Sequence, residues 1–201
     1  MRSTLLFLIA AVTAVAAGCH NTNAVDTGAF QSAINNYYAS RQECLWSEPV
    51  KFPAQADRSK EDQTEQFDAL TDAGILNRTP GEKQRFLVGS KAVNNYDLSD
   101  KGRSTWIADA AQPGYGNFCF GSPKVKSVDS YSPDDNPNAS QFTVNYRYAV
   151  SLPGWADTSE VKTAFPRAAR DSQAQEATAT LVKSQSGWQV QNVNAAEQPG
   201  D

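Results

Sequence analysis

Few side chains in this chain are equipped for covalent or metal chemistry. Its 201 residues include three cysteines, Cys19, Cys44 and Cys119, and a single histidine, His20. One histidine excludes a set of His ligands for zinc and, placed at the extreme N-terminal end, leaves no imidazole for a Ser–His–Asp or Cys–His device. A catalytic cysteine would lack its base for the same reason. Neither a phosphate-binding Walker loop nor a Gly-x-Gly-x-x-Gly stretch is present. Asp134-Asp135-Asn136 matches the opening half of a calcium loop, but Pro137 follows and Asn145 stands where a bidentate Glu belongs. That stretch reads as a solvated β-turn. The 22 acidic residues allow general acid–base work, yet no pair stands out by spacing. No catalytic residue, metal or cofactor is therefore expected. The aromatic side chains remain as binding candidates, with Trp46, Tyr115 and Trp155 foremost. The segment Gln112-Pro113-Gly114-Tyr115-Gly116 reads as a loop on which an aromatic ring meets solvent; core packing is the competing role for each ring.

Such a ring needs a folded frame to hold it. The chain is 40% hydrophobic and 20% charged, which is too apolar for a disordered chain. Its length suits one soluble domain with a real core. The net charge of −4 argues against a partner held by phosphate contacts, so no nucleic acid is expected.

The N-terminal residues differ from all that follow. Arg2 precedes an apolar run from Leu5 to Ala17. That run is shorter than the roughly 20 residues a membrane-spanning helix needs, and it has the length of a signal-peptide core. Ala16-Ala17-Gly18-Cys19 then resembles a bacterial lipobox, with Ala16 where that motif usually has Leu. The resemblance implies cleavage before Cys19, a diacylglyceryl group on its sulfur and acylation of the new amine. Several acyl chains anchor stably where one binds only marginally. His20, in place of the Asp that typically retains such proteins in the inner membrane, implies sorting to the outer membrane facing the periplasm. A secreted protein with an unmodified Cys19 is the alternative. On this reading residues 1–18 are a signal peptide, 19–26 a tether, 27–194 a single domain and 195–201 a frayed tail.

Giving Cys19 to lipid leaves Cys44 and Cys119. Two thiols in an oxidising compartment read as one disulfide, with two separate buried thiols as the alternative.

The spacing of Phe30, Ala33, Ile34, Tyr37, Tyr38 and Leu45 predicts a helix over about 27–44, capped by Asp26 or Thr27. A second helix is expected over 59–73, capped by Ser59 and stopped by Gly74, and a third from Ser99 to about 108. Short strands are expected at Phe86–Val88 and Tyr96–Leu98, around a polar loop holding Pro80 and Gly81. From Phe118 the pattern turns to strand. Phe142, Val144, Tyr146, Tyr148, Val150 and Leu152 alternate without a break, and a hairpin is expected around Gln185-Ser186-Gly187. A short helix interrupted by Pro166 fits 158–170.

Phe67-Asp68-Ala69-Leu70, Ala73-Gly74-Ile75-Leu76 and Tyr96-Asp97-Leu98-Ser99-Asp100-Lys101-Gly102-Arg103 resemble part of a winged-helix unit. The resemblance spans residues 67–103 and implies a helix, a β-wing and a following helix. The DNA binding usual in that family does not carry over, because the helix expected at 59–73 is rich in acidic residues. The expected fold class is thus α+β: an N-terminal helix and a winged-helix-like helical unit within a mostly helical 27–110, and a C-terminal antiparallel sheet of about four strands within a mostly β 117–194. The expected function is that of a lipid-anchored envelope protein that binds a protein or glycan partner without catalysis. An envelope-stress or antibiotic-protection protein and a carboxylate-dependent hydrolase are the alternatives.

Overall fold

The computed structural model describes residues 25–84 and 89–195. Asp26 accepts a hydrogen bond from the Ala29 amide at 3.1 Å and so opens helix α1, Thr27–Tyr38. The following elements are β1 (Glu43–Cys44), β2 (Val50–Lys51), β3 (Ala54–Asp57), α2 (Glu61–Asp72), β4 (Leu76–Gln84), β5 (Ser90–Leu98), α3 (Asp100–Thr105), β6 (Trp106–Ala108) and β7 (Tyr115–Gly121). The second half of the chain contains β8 (Lys124–Ser132), β9 (Gln141–Ala149), α4 (Ser159–Ala164), α5 (Pro166–Asp171), β10 (Gln175–Ser184) and β11 (Gly187–Ala195).

The apolar stripe of α1, Phe30, Ala33, Ile34 and Tyr38, is buried on the antiparallel sheet β11–β10–β9–β8. Strand β9 alternates as a one-sided strand should: Phe142, Val144 and Tyr146 are buried, while Thr143, Asn145 and Arg147 face solvent. Phe30 sits among the rings of Tyr131, Phe142 and Trp188 at centroid distances of 5.0–5.9 Å. Polar contacts fix the helix against its edge strand: Asn35 accepts from the Val125 amide at 2.9 Å and Gln31 donates to the Val125 carbonyl at 3.2 Å. Tyr38 and Tyr146 share a hydroxyl hydrogen bond of 2.7 Å at the base of the stripe.

Helix α2 lies on a second antiparallel sheet, β3–β5–β4. It ends at Gly74, whose φ of +73° only glycine adopts without strain, and the Ile75 amide returns to the Leu70 carbonyl at 2.8 Å. Ser99 then caps α3 by accepting from the Gly102 amide at 2.9 Å, and its own hydroxyl donates to the Gly74 carbonyl at 2.7 Å. Gly102 is confined by this approach, since a Cβ there would lie 2.1 Å from the Ile75 carbonyl oxygen. A third sheet forms where β7 pairs with β1, β2 and β6.

The expected fold class is not what the chain forms. Strands in three antiparallel sheets dominate, and among the described residues no helix exceeds 12 residues. The stretch that resembles a winged-helix unit is largely strand: β4 and β5 pair from Leu76↔Leu98 to Gln84↔Ser90, and β3 adds a third strand. The polar look of 77–84 hid β4, which pairs only with β5 and so tolerates Pro80 at an edge. Helix α1 stops at Tyr38, short of 44, because Glu43 and Cys44 pair with β7. Helix α3 stops at Thr105 because Trp106–Ala108 also pairs with β7. Ser59 does not cap α2; its hydroxyl donates to Asp57. Of the expected tail over 195–201, Ala195 closes β11, and 196–201 lie outside the described residues. The expected strand at Phe86–Val88, the signal peptide, Cys19 and His20 lie outside the described residues.

The buried side chains form two cores. One gathers Leu45, Leu70, Ile75, Tyr96, Phe118 and Phe165; the other gathers Phe30, Ile34, Phe142, Val144, Tyr146 and Leu181. The chain crosses between them within 38–45, 120–125, 146–150 and 168–177.

Candidate functional site

Strand β7 alternates strictly. Gly116, Phe118 and Phe120 are buried, while Asn117 and Cys119 are half-buried on the outward face and Tyr115 is exposed there. This outward face forms the floor of a groove of about 410 Å³. The segment from Gln42 to Pro49 and the segment from Ile107 to Ala110 line it, together with Arg167. Cys44 and Cys119 stand directly opposite in the β1–β7 register and are joined as a disulfide in the groove wall.

Asn117 holds the segment beyond β1 in place. Its side chain accepts from the Trp46 amide at 3.3 Å and donates to the Trp46 carbonyl at 2.7 Å. A side-chain amide thus replaces the ladder where the segment leaves the strand. The Trp46 indole reaches the groove, but its ring is surrounded by Phe52, Phe67, Phe118 and Phe165 at 5.4–6.4 Å, and its N–H donates to Gln66 at 2.7 Å. Most of that ring serves the first core. Two large hydrophobics are exposed among the described residues, Ile107 at 44% and Tyr115 at 36%. Ile107 stands opposite Asn117 in register, so both exposed side chains share the outward face of β7.

A second cavity, of about 250 Å³, opens behind β1 at the junction of the two cores. Glu43 lines both spaces. The second is walled by Tyr37, Tyr38, Tyr148, Val150 and Val193, with Arg41 and Asp171 also facing it. Burial pushes the Glu43 carboxyl above its ordinary range, the Asp171 charge adds to this, and Arg167 opposes it. Burial likewise raises Asp171, against the pull of a Gln175 hydrogen bond and of Arg167 and Arg170. Tyr148 is pushed up to about 12, first by burial and then by the neighbouring Tyr38, Asp171 and Glu43. Arg167 donates to the Cys44 carbonyl and so ties α5 to β1. Arg41 covers the Tyr37 ring at 3.6 Å and donates to the Tyr37 carbonyl.

The sequence-derived candidates fall in three places. Cys44, Cys119 and Trp46 line the groove, and Tyr115 lies on its outward face. Trp155 is 8% exposed within the first core, so it has no surface to offer a partner. Cys19 lies outside the described residues. The stretch around Asp134 forms an exposed turn in which Asn136 accepts from the Asn138 amide at 3.1 Å. Glu43, Ile107, Arg167 and Asp171 were not anticipated. No local pattern marks them, because the groove joins residues as distant in the chain as Cys44 and Arg167. Comparison of the chain with protein-family models, with curated proteins and with solved structures finds no match.

Proposed function

We propose that this chain is a lipid-anchored protein of the bacterial envelope, held through Cys19, that binds a protein partner at the groove on β7. The observation that carries the binding role is the placement of Ile107 and Tyr115. They are the exposed large hydrophobics of the described residues, and both lie on the face that floors the groove. Apolar side chains gathered on one exposed face favour a macromolecular contact. Ile107, the more exposed of the two and the one that lines the groove, is aliphatic and suits apolar side chains of a protein, while the Trp46 ring in the groove is enclosed by phenylalanines and offers a sugar no open face. The anchor rests on the lipobox-like Ala16-Ala17-Gly18-Cys19. Confinement to a membrane surface raises the effective concentration of the groove toward envelope neighbours.

The test is site-specific photocrosslinking in bacteria making the full chain. A crosslinker at position 107 is expected to give one discrete protein adduct. A crosslinker at Gln189, exposed on β11, is expected to give none. Cys19→Ala is expected to remove the acyl mass increment and deplete the adduct. Glycan-sized adducts, or adducts of equal yield at both positions, would sink the protein-partner reading. An unmodified wild-type mass in a soluble fraction would sink the anchor.

A carboxylate-dependent hydrolase finds a candidate pair in Glu43 and Asp171, which line the same cavity and are both shifted toward their protonated forms. Turnover of chromogenic glycosides that disappears in Glu43→Gln would favour that reading; absence of turnover would end it.

A further inference from the structure

The disulfide is reachable from the groove. Cys44 and Cys119 are both half-buried, and both line it. Strand β7 carries Tyr115, Asn117 and Cys119 on its outward face, and Ile107 stands beside Asn117 on that face. The exposed apolar side chains and the sulfur bridge therefore share one surface. Exposed disulfides are the labile and catalytic class, whereas buried cysteines are inert. A second observation concerns what else holds the bridged strands together. Leu45 is buried in the first core, and its amide donates to the Phe118 carbonyl at 2.9 Å. Asn117 bonds both the amide and the carbonyl of Trp46. Arg167 donates to the Cys44 carbonyl. Each of these ties lies at or beside a cysteine, and none of them uses sulfur.

We propose that the groove is a site of thiol–disulfide exchange, at which a dithiol protein seated on Ile107 and Tyr115 reduces the Cys44–Cys119 bridge. The inference rests on the reading of this groove as a protein-docking face and names the chemistry of the partner. A thiolate of the partner attacks the Cys119 sulfur on the groove floor. The intermolecular S–S bond forms as the Cys44–Cys119 bond breaks, and Cys44 leaves as a thiolate. The partner's second thiolate then attacks the partner sulfur of the mixed disulfide and releases Cys119. The partner loses two electrons and two protons and becomes a disulfide; Cys44 and Cys119 gain them and become thiols. The lack of a histidine base is no obstacle, because the bridge is the electrophile and the partner brings the nucleophile. The ties around Leu45, Trp46 and Cys44 keep the two thiols facing each other, so the bridge opens and recloses within the folded chain.

The experiment follows reduction of the full chain, purified in detergent and with free thiols blocked first, in the absence of denaturant. Dithiothreitol and thioredoxin, a small dithiol protein, are the two reductants, and new thiols are counted by alkylation and mass. The rate with dithiothreitol is expected to rise in proportion to its concentration, as direct attack on the folded chain requires. The reduced chain is expected to melt cooperatively, and glutathione disulfide is expected to restore the bridge. Ile107→Asp is expected to lower the ratio of the thioredoxin rate to the dithiothreitol rate about tenfold, as loss of a central contact does. Gln189→Asp, on exposed β11, is expected to leave that ratio unchanged. A rate independent of dithiothreitol concentration means that the bridge opens only on unfolding; it overturns the proposal and leaves the docking reading standing. A reduced chain without a cooperative melt overturns it in the same way. An unchanged ratio in Ile107→Asp also overturns it, since the dithiol protein then makes no use of the groove face. Failure of the docking reading itself is seen separately, in the crosslink at position 107.

Discussion

Asp57 shows how one side chain can report on the whole fold. It is buried at the end of β3, receives an ion pair from Lys91 on β5, and accepts from the Ser59 amide at 3.1 Å and its hydroxyl at 3.0 Å. The Lys91 contact, followed by the Ser59 bonds, holds its carboxyl down at about 2. A carboxyl depressed in the folded state stabilises the fold above its unfolded value of about 3.9. That stabilisation fades as pH falls from about 4 through about 2. Acid unfolding of Asp57→Asn is therefore expected to show a shallower pH dependence over this window, measured by denaturant titration at several pH values. Among residue-level features, caps were legible in part: Asp26 and Ser99 each accept the first-turn amide the pattern implies, whereas Ser59, expected to cap α2, bonds to Asp57 instead. Glu43, Arg167 and Asp171 were not legible, since their meaning lies in convergence and none has a local signature.

At the scale of elements, the joint between α2 and α3 is the most constrained. Gly74 ends one helix, Ser99 begins the other, and Gly102 presses against the Ile75 carbonyl between them. Alanine at 102 has no space on the backbone side, so Gly102→Ala is expected to destabilise by about 1–3 kcal/mol, the usual cost of overpacking. Gly154 lies where a Cβ meets nothing within 4 Å and serves as the control. Chemical denaturation of the two variants checks the contrast. Elements were readable where period and punctuation agreed, as in β9, which nonetheless ends at Ala149 instead of running on to Leu152, in the β10–β11 hairpin around 185–187, and in the break that Pro166 makes between α4 and α5. They were unreadable where pairing overrode local pattern. Leu76–Gln84 carries few apolar residues and a proline, yet it makes a nine-residue ladder because β5 offers a register for all of it. Trp106–Ala108 extends because β7 needs a partner there, whatever helical spacing precedes it.

Over the whole molecule, two cores share one set of crossings, and both candidate spaces sit at or beside those crossings. The arrangement explains why the site escaped a linear reading: four separate stretches of chain build it, and each is short. It also gives the disulfide a wider role than closing the β1–β7 contact. Cys44 lies just beyond the helix that leads in from the N-terminal end, and Cys119 lies just ahead of the large sheet, with 75 residues of separation between them. A tensile load applied between the two ends of the described chain passes through the sulfur bridge and skips everything between. The second sheet, α2 and α3 are thereby sheltered from force, while α1 and the β8–β11 sheet bear it. Single-molecule stretching is expected to show this as hidden length: under thiol reductant the fully extended chain should lengthen by roughly 250 Å, at about 3.4 Å per released residue. The part of the first core inside the loop, from Leu45 to Phe118, is thus beyond the reach of such a load until the bridge is reduced.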